Sequence, residues 1–86
     1  MFRILTVCTG NICRSPLAES ILRIDLDPKV FTISSAGIMA VENGRVPAPQ
    51  LRIAKSVGVT DLERHRATQI PAVNIGISDL ILGLSR

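Results

Sequence analysis

Apolar and polar positions divide this chain into short apolar runs alternating with amphipathic stretches. The run Arg3-Ile4-Leu5-Thr6-Val7-Cys8 has the length and near-continuous apolarity of a buried strand. After a polar loop a helix is predicted, with Ser15 as N-cap and Pro16 at the first helical position. Position 18 is Ala18, so the acidic half of a capping box is absent. Leu17, Ala18, Ile21 and Leu22 predict one apolar stripe, leaving Glu19, Ser20 and Arg23 to water. Asp27-Pro28 ends this helix. Val30 to Ser35 reads as a second strand that Gly37 breaks, followed by a loop over 38–46 with Asn43-Gly44 as its turn. A second helix is predicted from about Pro49 to Val57, with Leu51, Ile53, Ala54 and Val57 as its apolar residues and Gly58 as its stop. Residues 60–69 are polar and read as loop. Pro71 to Ile77 reads as a short helix, against the grain of Gly76 and its β-branched neighbours. A third strand is predicted over Asp79 to Ser85, around Leu80-Ile81-Leu82-Gly83-Leu84. The order β-α-β-α-(α)-β points to an α/β fold with a parallel sheet.

Composition narrows the class. Eighty-six residues allow one small domain, 1–86, and its 47% apolar content includes only two aromatics, both Phe. A net charge of +3 suits an anionic substrate. The basic residues do not run together and no aromatics are available to stack on bases, which argues against nucleic acid. Cys8 and Cys13 share one loop and cannot staple distant elements, so reduced thiols in a cytoplasm are expected. No signal peptide is read at the start, no apolar run approaches membrane-spanning length, and no membrane partner is expected.

The chemistry lies between the first strand and first helix, in Cys8-Thr9-Gly10-Asn11-Ile12-Cys13-Arg14-Ser15-Pro16. A phosphate needs many donors at once, and a strand–loop–helix junction supplies backbone N–H groups, a helix N-terminus and a guanidinium. A cysteine at the strand end beside Arg14 should have a lowered pKa and can attack phosphorus in line to give a phosphocysteine. Backbone N–H groups over Thr9, Gly10, Asn11, Ile12, Cys13 and Arg14 would hold the equatorial oxygens, with Arg14 as a bidentate clamp. Ser15 can donate to the Cys8 sulfur and ease its departure. Asn11 can take a left-handed backbone and brace the loop. Taken singly, Cys8 reads as a buried structural thiol and Arg14 as a surface charge; the constellation is what points to an anion site. Cys13 is either a packing thiol or a redox partner that traps oxidised Cys8 as a disulfide.

The stretch Val7 to Glu19 resembles the signature of the low-molecular-weight protein tyrosine phosphatases. Ser34-Ser35-Ala36-Gly37, the segment from Gly58-Val59 through His65-Arg66-Ala67-Thr68-Gln69, and Ser78 to Arg86 are similar to later parts of the same family. The resemblance implies a flavodoxin-like sheet with three strands present in the order 2-1-3, and cofactor-free, metal-free hydrolysis of phosphotyrosine or small aryl phosphates. It implies Ser35 as a second brace on the phosphate loop, and a phosphorylated protein or small phosphoester as partner.

This sequence also departs from that pattern. Family members are longer, so the chain reads as a truncated, N-terminal part of the domain, without the fourth strand and closing helices. The family's general acid is an Asp in an Asp-Pro pair near the C-terminus. The only Asp-Pro here is Asp27-Pro28, on the wrong side of the sheet, so no general acid is found. Ile38-Met39-Ala40-Val41 supplies no aromatic wall. His65 is a substitute acid or, more simply, a surface or structural histidine; Asp61, Glu63 and Glu42 read as solvated charges. Two other functions fit less of the pattern: a non-catalytic phosphate- or phosphoprotein-binding module, and an arsenate reductase, for which no cysteine follows Cys13. The apolar third strand is expected to be an exposed edge and to self-associate or bind a partner through residues 80–85.

Overall fold

A computed structural model of the chain describes residues 1–84. It consists of β1 (Phe2–Cys8), α1 (Arg14–Asp25), β2 (Phe31–Gly37), α2 (Ala48–Ser56), a 3-10 turn (Leu62–Arg64), α3 (Ala72–Ile77) and β3 (Leu80–Gly83). The three strands form one parallel sheet in the order β2-β1-β3. Cys8 pairs with Gly37 and Val7 with Gly83, so the C-terminal ends of all three strands meet beside the cysteine.

Ile4 through Cys8 are buried, as a central strand covered on both faces requires. One face is closed by α1, which packs on β1 and β2. The other carries Leu5, Val7 and Ala36 with Ile70 against them. A second cluster of Val46, Ala54, Val59 and Leu62, with Leu17 and Leu51 alongside, joins α1, α2 and the 3-10 turn.

α2 stops as its glycine predicts. Gly58 takes φ +87°, its N–H bonds the Lys55 carbonyl at 3.1 Å and the Val59 N–H bonds the Ala54 carbonyl at 2.9 Å. That pair of bonds is the Schellman cap, and buried Val59 packs against Ala54 as the motif's apolar contact. The Asn43-Gly44 turn also forms, with Asn43 at φ 64°.

Several sequence expectations are corrected. α1 begins at Arg14, not after Ser15, and its N-cap is Cys13 without a side-chain cap bond. Ser15 lies inside the first turn, where its hydroxyl turns toward Cys8. The buried face of α1 is Ser15, Pro16, Glu19 and Ser20, whereas Ile21 and Ile24 are exposed. Hydropathy misplaced the face because polar residues can be buried once paired. Glu19 accepts from Ser35 Oγ at 2.5 Å and pairs with Arg23 at 2.5 Å, and Ser20 donates to Asp61 at 3.0 Å. On α2, Ile53 and Val57 are exposed and Ala54 alone is buried. β2 runs through Gly37 instead of breaking before it, and β3 spans only Leu80–Gly83, with Ser85 outside the described residues.

Among the described residues β3 pairs with β1 alone and is an edge of this sheet, with Leu80 and Ile81 each 41% exposed. Among the described residues no helix is long and apolar enough to cross a membrane.

Gly37 fixes where the strands meet the loop. A Cβ there would lie 2.8 Å from the Thr9 carbonyl oxygen, 2.9 Å from Ala40 Cβ and 3.0 Å from the Asn11 nitrogen. Gly37→Ala is expected to cost about 1–3 kcal/mol, as overpacking typically does, and to lower the melting temperature by roughly 4–8 °C per kcal/mol. An unchanged melting curve would show that these backbones are not held in contact.

Candidate active site

β1 delivers Cys8, and the chain turns through residues 9–13 before α1 begins. Thr9 is exposed, Gly10, Ile12 and Cys13 are half-buried, and Asn11 and Ser15 have no exposure at all. The turn needs one residue in the left-handed region, and Asn11 supplies it with φ 55°.

The direction of the hydrogen bonds around Asn11 can be deduced. A backbone N–H only donates, so Thr68 N–H takes the Asn11 side-chain oxygen, at 2.9 Å. The Asn11 amide nitrogen then donates to Ser15 Oγ at 2.9 Å. With its oxygen already accepting, the Ser15 hydroxyl is free to turn its proton toward Cys8 Sγ, 3.0 Å away. The Asn11 backbone N–H donates to the same sulfur at 3.2 Å. On the other side of the loop the Asn11 carbonyl sits 2.8 Å from His65 Nε2, and because a carbonyl only accepts, Nε2 carries the proton. His65 is therefore a brace on the loop; its place in the chain gave no sign of which carbonyl it meets.

Burial pushes the Cys8 thiol up. Hydrogen bonds from the Ser15 hydroxyl and from the backbone N–H groups of Ser15, Asn11 and Cys13 outweigh it, so the thiol pKa lies below its usual value. These donors, not the Arg14 charge expected from the sequence, account for the lowering. Both cysteines are free thiols.

Cys8 opens on a cleft of about 600 Å³ lined by Val7, Cys8, Thr9, Arg14, Ile38, Gly83 and Leu84. Among the described residues Arg14 is the one charged group in its lining. The Ile38 N–H bonds the Cys8 carbonyl at 3.0 Å and the Met39 N–H bonds that of Thr9 at 2.8 Å, tying the 38–46 loop to the start of the turn over residues 9–13. Gln69 holds this loop from behind. It donates to the Ile38 carbonyl at 2.5 Å, accepts from Ala40 N–H at 2.8 Å, and gives its backbone N–H to Glu42 at 2.6 Å. Glu42 and Asp61 are thus hydrogen-bonded, and Glu63 pairs with Lys55 at 3.3 Å, where free solvated charges were expected.

Ser35 does not brace the loop. Its hydroxyl goes to Glu19 and ties β2 to α1, while Thr68 and His65 do the bracing. Asp27 sits at the far end of the sheet, where its carboxylate accepts from Lys29 N–H at 2.9 Å. Asp79 is also remote, bonded to the Arg3 N–H at 2.8 Å.

Removing the Ser15 hydroxyl disfavours the thiolate, so Ser15→Ala is expected to raise the Cys8 pKa. Alkylation of Cys8 by iodoacetamide, resolved from Cys13 by fragmentation mass spectrometry, should then have its midpoint at higher pH than in the unaltered chain. The stability sign follows. A folded-state pKa below the unfolded one stabilises the fold above the unfolded thiol pKa, and that contribution is lost as pH falls through the folded value. The stability gap between the two chains should therefore widen with rising pH; a gap independent of pH contradicts the assignment.

Residues 3–86 match the family described as low molecular weight phosphotyrosine protein phosphatase. The probable low molecular weight protein-tyrosine-phosphatase EpsP of Ralstonia nicotianae is 42% identical over 79 residues, which cover 92% of this chain and 52% of that protein. The crystal structure of tyrosine phosphatase AmsI from Erwinia amylovora superposes with a TM-score of 0.86 at 39% identity, covering 98% of this chain and 54% of that one. The YwlE arginine phosphatase from Geobacillus stearothermophilus also gives a TM-score of 0.86, at 32% identity over 99% of this chain and 53% of that one. The chain spans about half the length of the curated relatives it matches.

Proposed function

The chain belongs to the low molecular weight phosphotyrosine protein phosphatase family, and we propose that it hydrolyses phosphotyrosine or an aryl phosphate through a phosphocysteine on Cys8. The observation that carries this reading is the set of donors converging on the Cys8 sulfur from Ser15, Asn11 and Cys13. A structural thiol needs no such set, whereas a nucleophile that must exist as thiolate does.

In the first step the Cys8 thiolate attacks phosphorus, an S–P bond forms, the ester O–P bond breaks and the phenolate leaves. Arg14, with the loop N–H groups of Thr9, Gly10, Asn11, Ile12 and Cys13, holds the equatorial oxygens as charge builds there. In the second step water attacks phosphorus, the S–P bond breaks, and the returning thiolate is again met by the Ser15 hydroxyl. Phosphate and the thiolate are the products.

The leaving group decides the substrate class. No carboxylate lines the cleft among the described residues, and a general acid is commonly worth about 10²–10⁴-fold. Phenols leave as anions far more readily than serine or threonine alkoxides, so aryl esters are favoured at a lining of this kind. Phosphoarginine fits less well. Its guanidinium product is a cation, and among the described residues the charge in the cleft lining is that of Arg14. The described lining, a cysteine and an arginine without a carboxylate, also fits a second reading, a module that binds phosphate without efficient turnover. Cys13, half-buried in the same loop, serves as reversible redox partner to Cys8. The reaction suits a reducing cytoplasm, where both thiols stay free.

Hydrolysis of para-nitrophenyl phosphate is expected for this chain and should disappear in Cys8→Ser, with phosphate binding retained; phosphoarginine should turn over more slowly. Turnover that survives Cys8→Ser contradicts the mechanism, and phosphate binding without turnover in the unaltered chain favours the binding module.

We propose further that β3 pairs with a second copy of the chain. Among the described residues Leu80 and Ile81 present an apolar edge with no strand beside it, a form that strands are seldom left in. Sedimentation at micromolar concentration should show dimers, and Ile81→Lys should shift them to monomer. A monomer across that range contradicts the pairing.

A further inference from the structure

Thr6 is the one polar residue within the apolar run from Ile4 to Val7, and it is fully buried. A valine would fill much the same space beside Ile4, Leu5 and Val7. The hydroxyl is what distinguishes this residue, and it has a definite target: Thr6 Oγ1 donates to the Ser15 carbonyl at 2.9 Å and lies 3.3 Å from that of Ser34. Ser15 is equally buried and is gripped at each of its polar atoms. Thr6 takes its carbonyl, Asn11 takes its hydroxyl oxygen, and its hydroxyl and backbone N–H both reach Cys8.

We propose that Thr6 is a positioning residue of the Cys8 site, acting through Ser15. Thr6 and Cys8 stand two residues apart on β1 and face the same side of the sheet. The Thr6 bond therefore refers Ser15 to the same rigid strand that carries the sulfur. Ser15 lies in the first turn of α1, whose N-cap makes no side-chain cap bond. The first turn is the part of a helix with the fewest backbone bonds of its own. Without the Thr6 contact, a small rotation of that turn withdraws the hydroxyl and the N–H from the sulfur together. The functional consequence rests on Cys8 being the nucleophile proposed above; the positional one does not.

Alkylation of Cys8 as a function of pH separates the two, because it needs no turnover. Thr6→Val is expected to keep the circular dichroism spectrum and to raise the Cys8 midpoint by about half a pH unit, which is about threefold less thiolate at any pH below both midpoints. Thr6→Ser, which restores the hydroxyl, should restore the profile. The same shift in a chain that fails to hydrolyse phosphate esters would still support the positioning role while overturning the phosphatase reading. A Thr6→Val profile that overlays the unaltered one overturns the proposal and leaves Thr6 as core packing. Should Thr6→Val not fold, the unaltered chain decides. Its Thr6 hydroxyl proton is expected to exchange slowly with water and to couple through the hydrogen bond to the Ser15 carbonyl carbon, and a freely exchanging proton overturns the proposal.

Discussion

The Thr68 backbone N–H can only donate, and the polarity of the whole site follows from that restriction. It fixes the Asn11 amide, whose nitrogen then donates to Ser15 Oγ, and the Ser15 hydroxyl meets the Cys8 sulfur, as the donor once the sulfur is a thiolate. A relay of this kind, buried from Asn11 through Ser15 to Cys8, is worth more than isolated pairs because each bond polarises the next. It also demands accuracy, since a buried donor left without a partner costs about 1–3 kcal/mol. No buried side-chain nitrogen or oxygen among the described residues lacks a partner.

Much of the remaining structure serves to keep Thr68 in place. Gly37 N–H bonds the Thr68 carbonyl at 2.8 Å, and Ile70 N–H bonds the Gly37 carbonyl at 2.8 Å, so residues 68–70 lie along the end of β2. Gln69 locks this segment to the 38–46 loop, and Asn43 and Ala67 repeat the connection with backbone bonds of 2.9 Å and, from Ala67 to Gly44, 2.7 Å. The absence of a side chain at Gly37 lets the 9–13 loop, β2 and this segment approach one another. Cys8 thus rests on the C-terminal edge of a parallel sheet, where α/β folds place their ligands.

How far the site was legible depended on whether an interaction leaves a mark in composition. The Asn11 turn was readable, and so was the nearness of Cys8 and Arg14 in one cleft, because a left-handed residue, a thiol and a guanidinium are residue types with few alternatives. The strands and the Gly58 stop were readable from apolar runs and from one glycine. Thr68 was not, since it acts through a backbone N–H that any residue but proline carries. His65 was visible as a residue but not as a brace, because its partner is a carbonyl 54 positions away. The face of α1 was misread for a related reason. Glu19 and Ser20 count as polar in any hydropathy pattern, and only the positions of Ser35, Arg23 and Asp61 show that both are paired and can be buried. Ser35 was placed on the loop by resemblance, whereas the chain spends its hydroxyl on Glu19. Thr6 could have been noticed, as a hydroxyl in the middle of an apolar strand has to bond to something.

The central claim is that the relay holds Cys8 as a nucleophile toward phosphorus. The most direct measurement is the intact mass of the chain quenched in acid during turnover of an aryl phosphate. We expect a species heavier by one phosphoryl group, with fragmentation placing the group on Cys8. Product release without any phosphorylated intermediate, or a phosphoryl group found on another residue, would contradict the account.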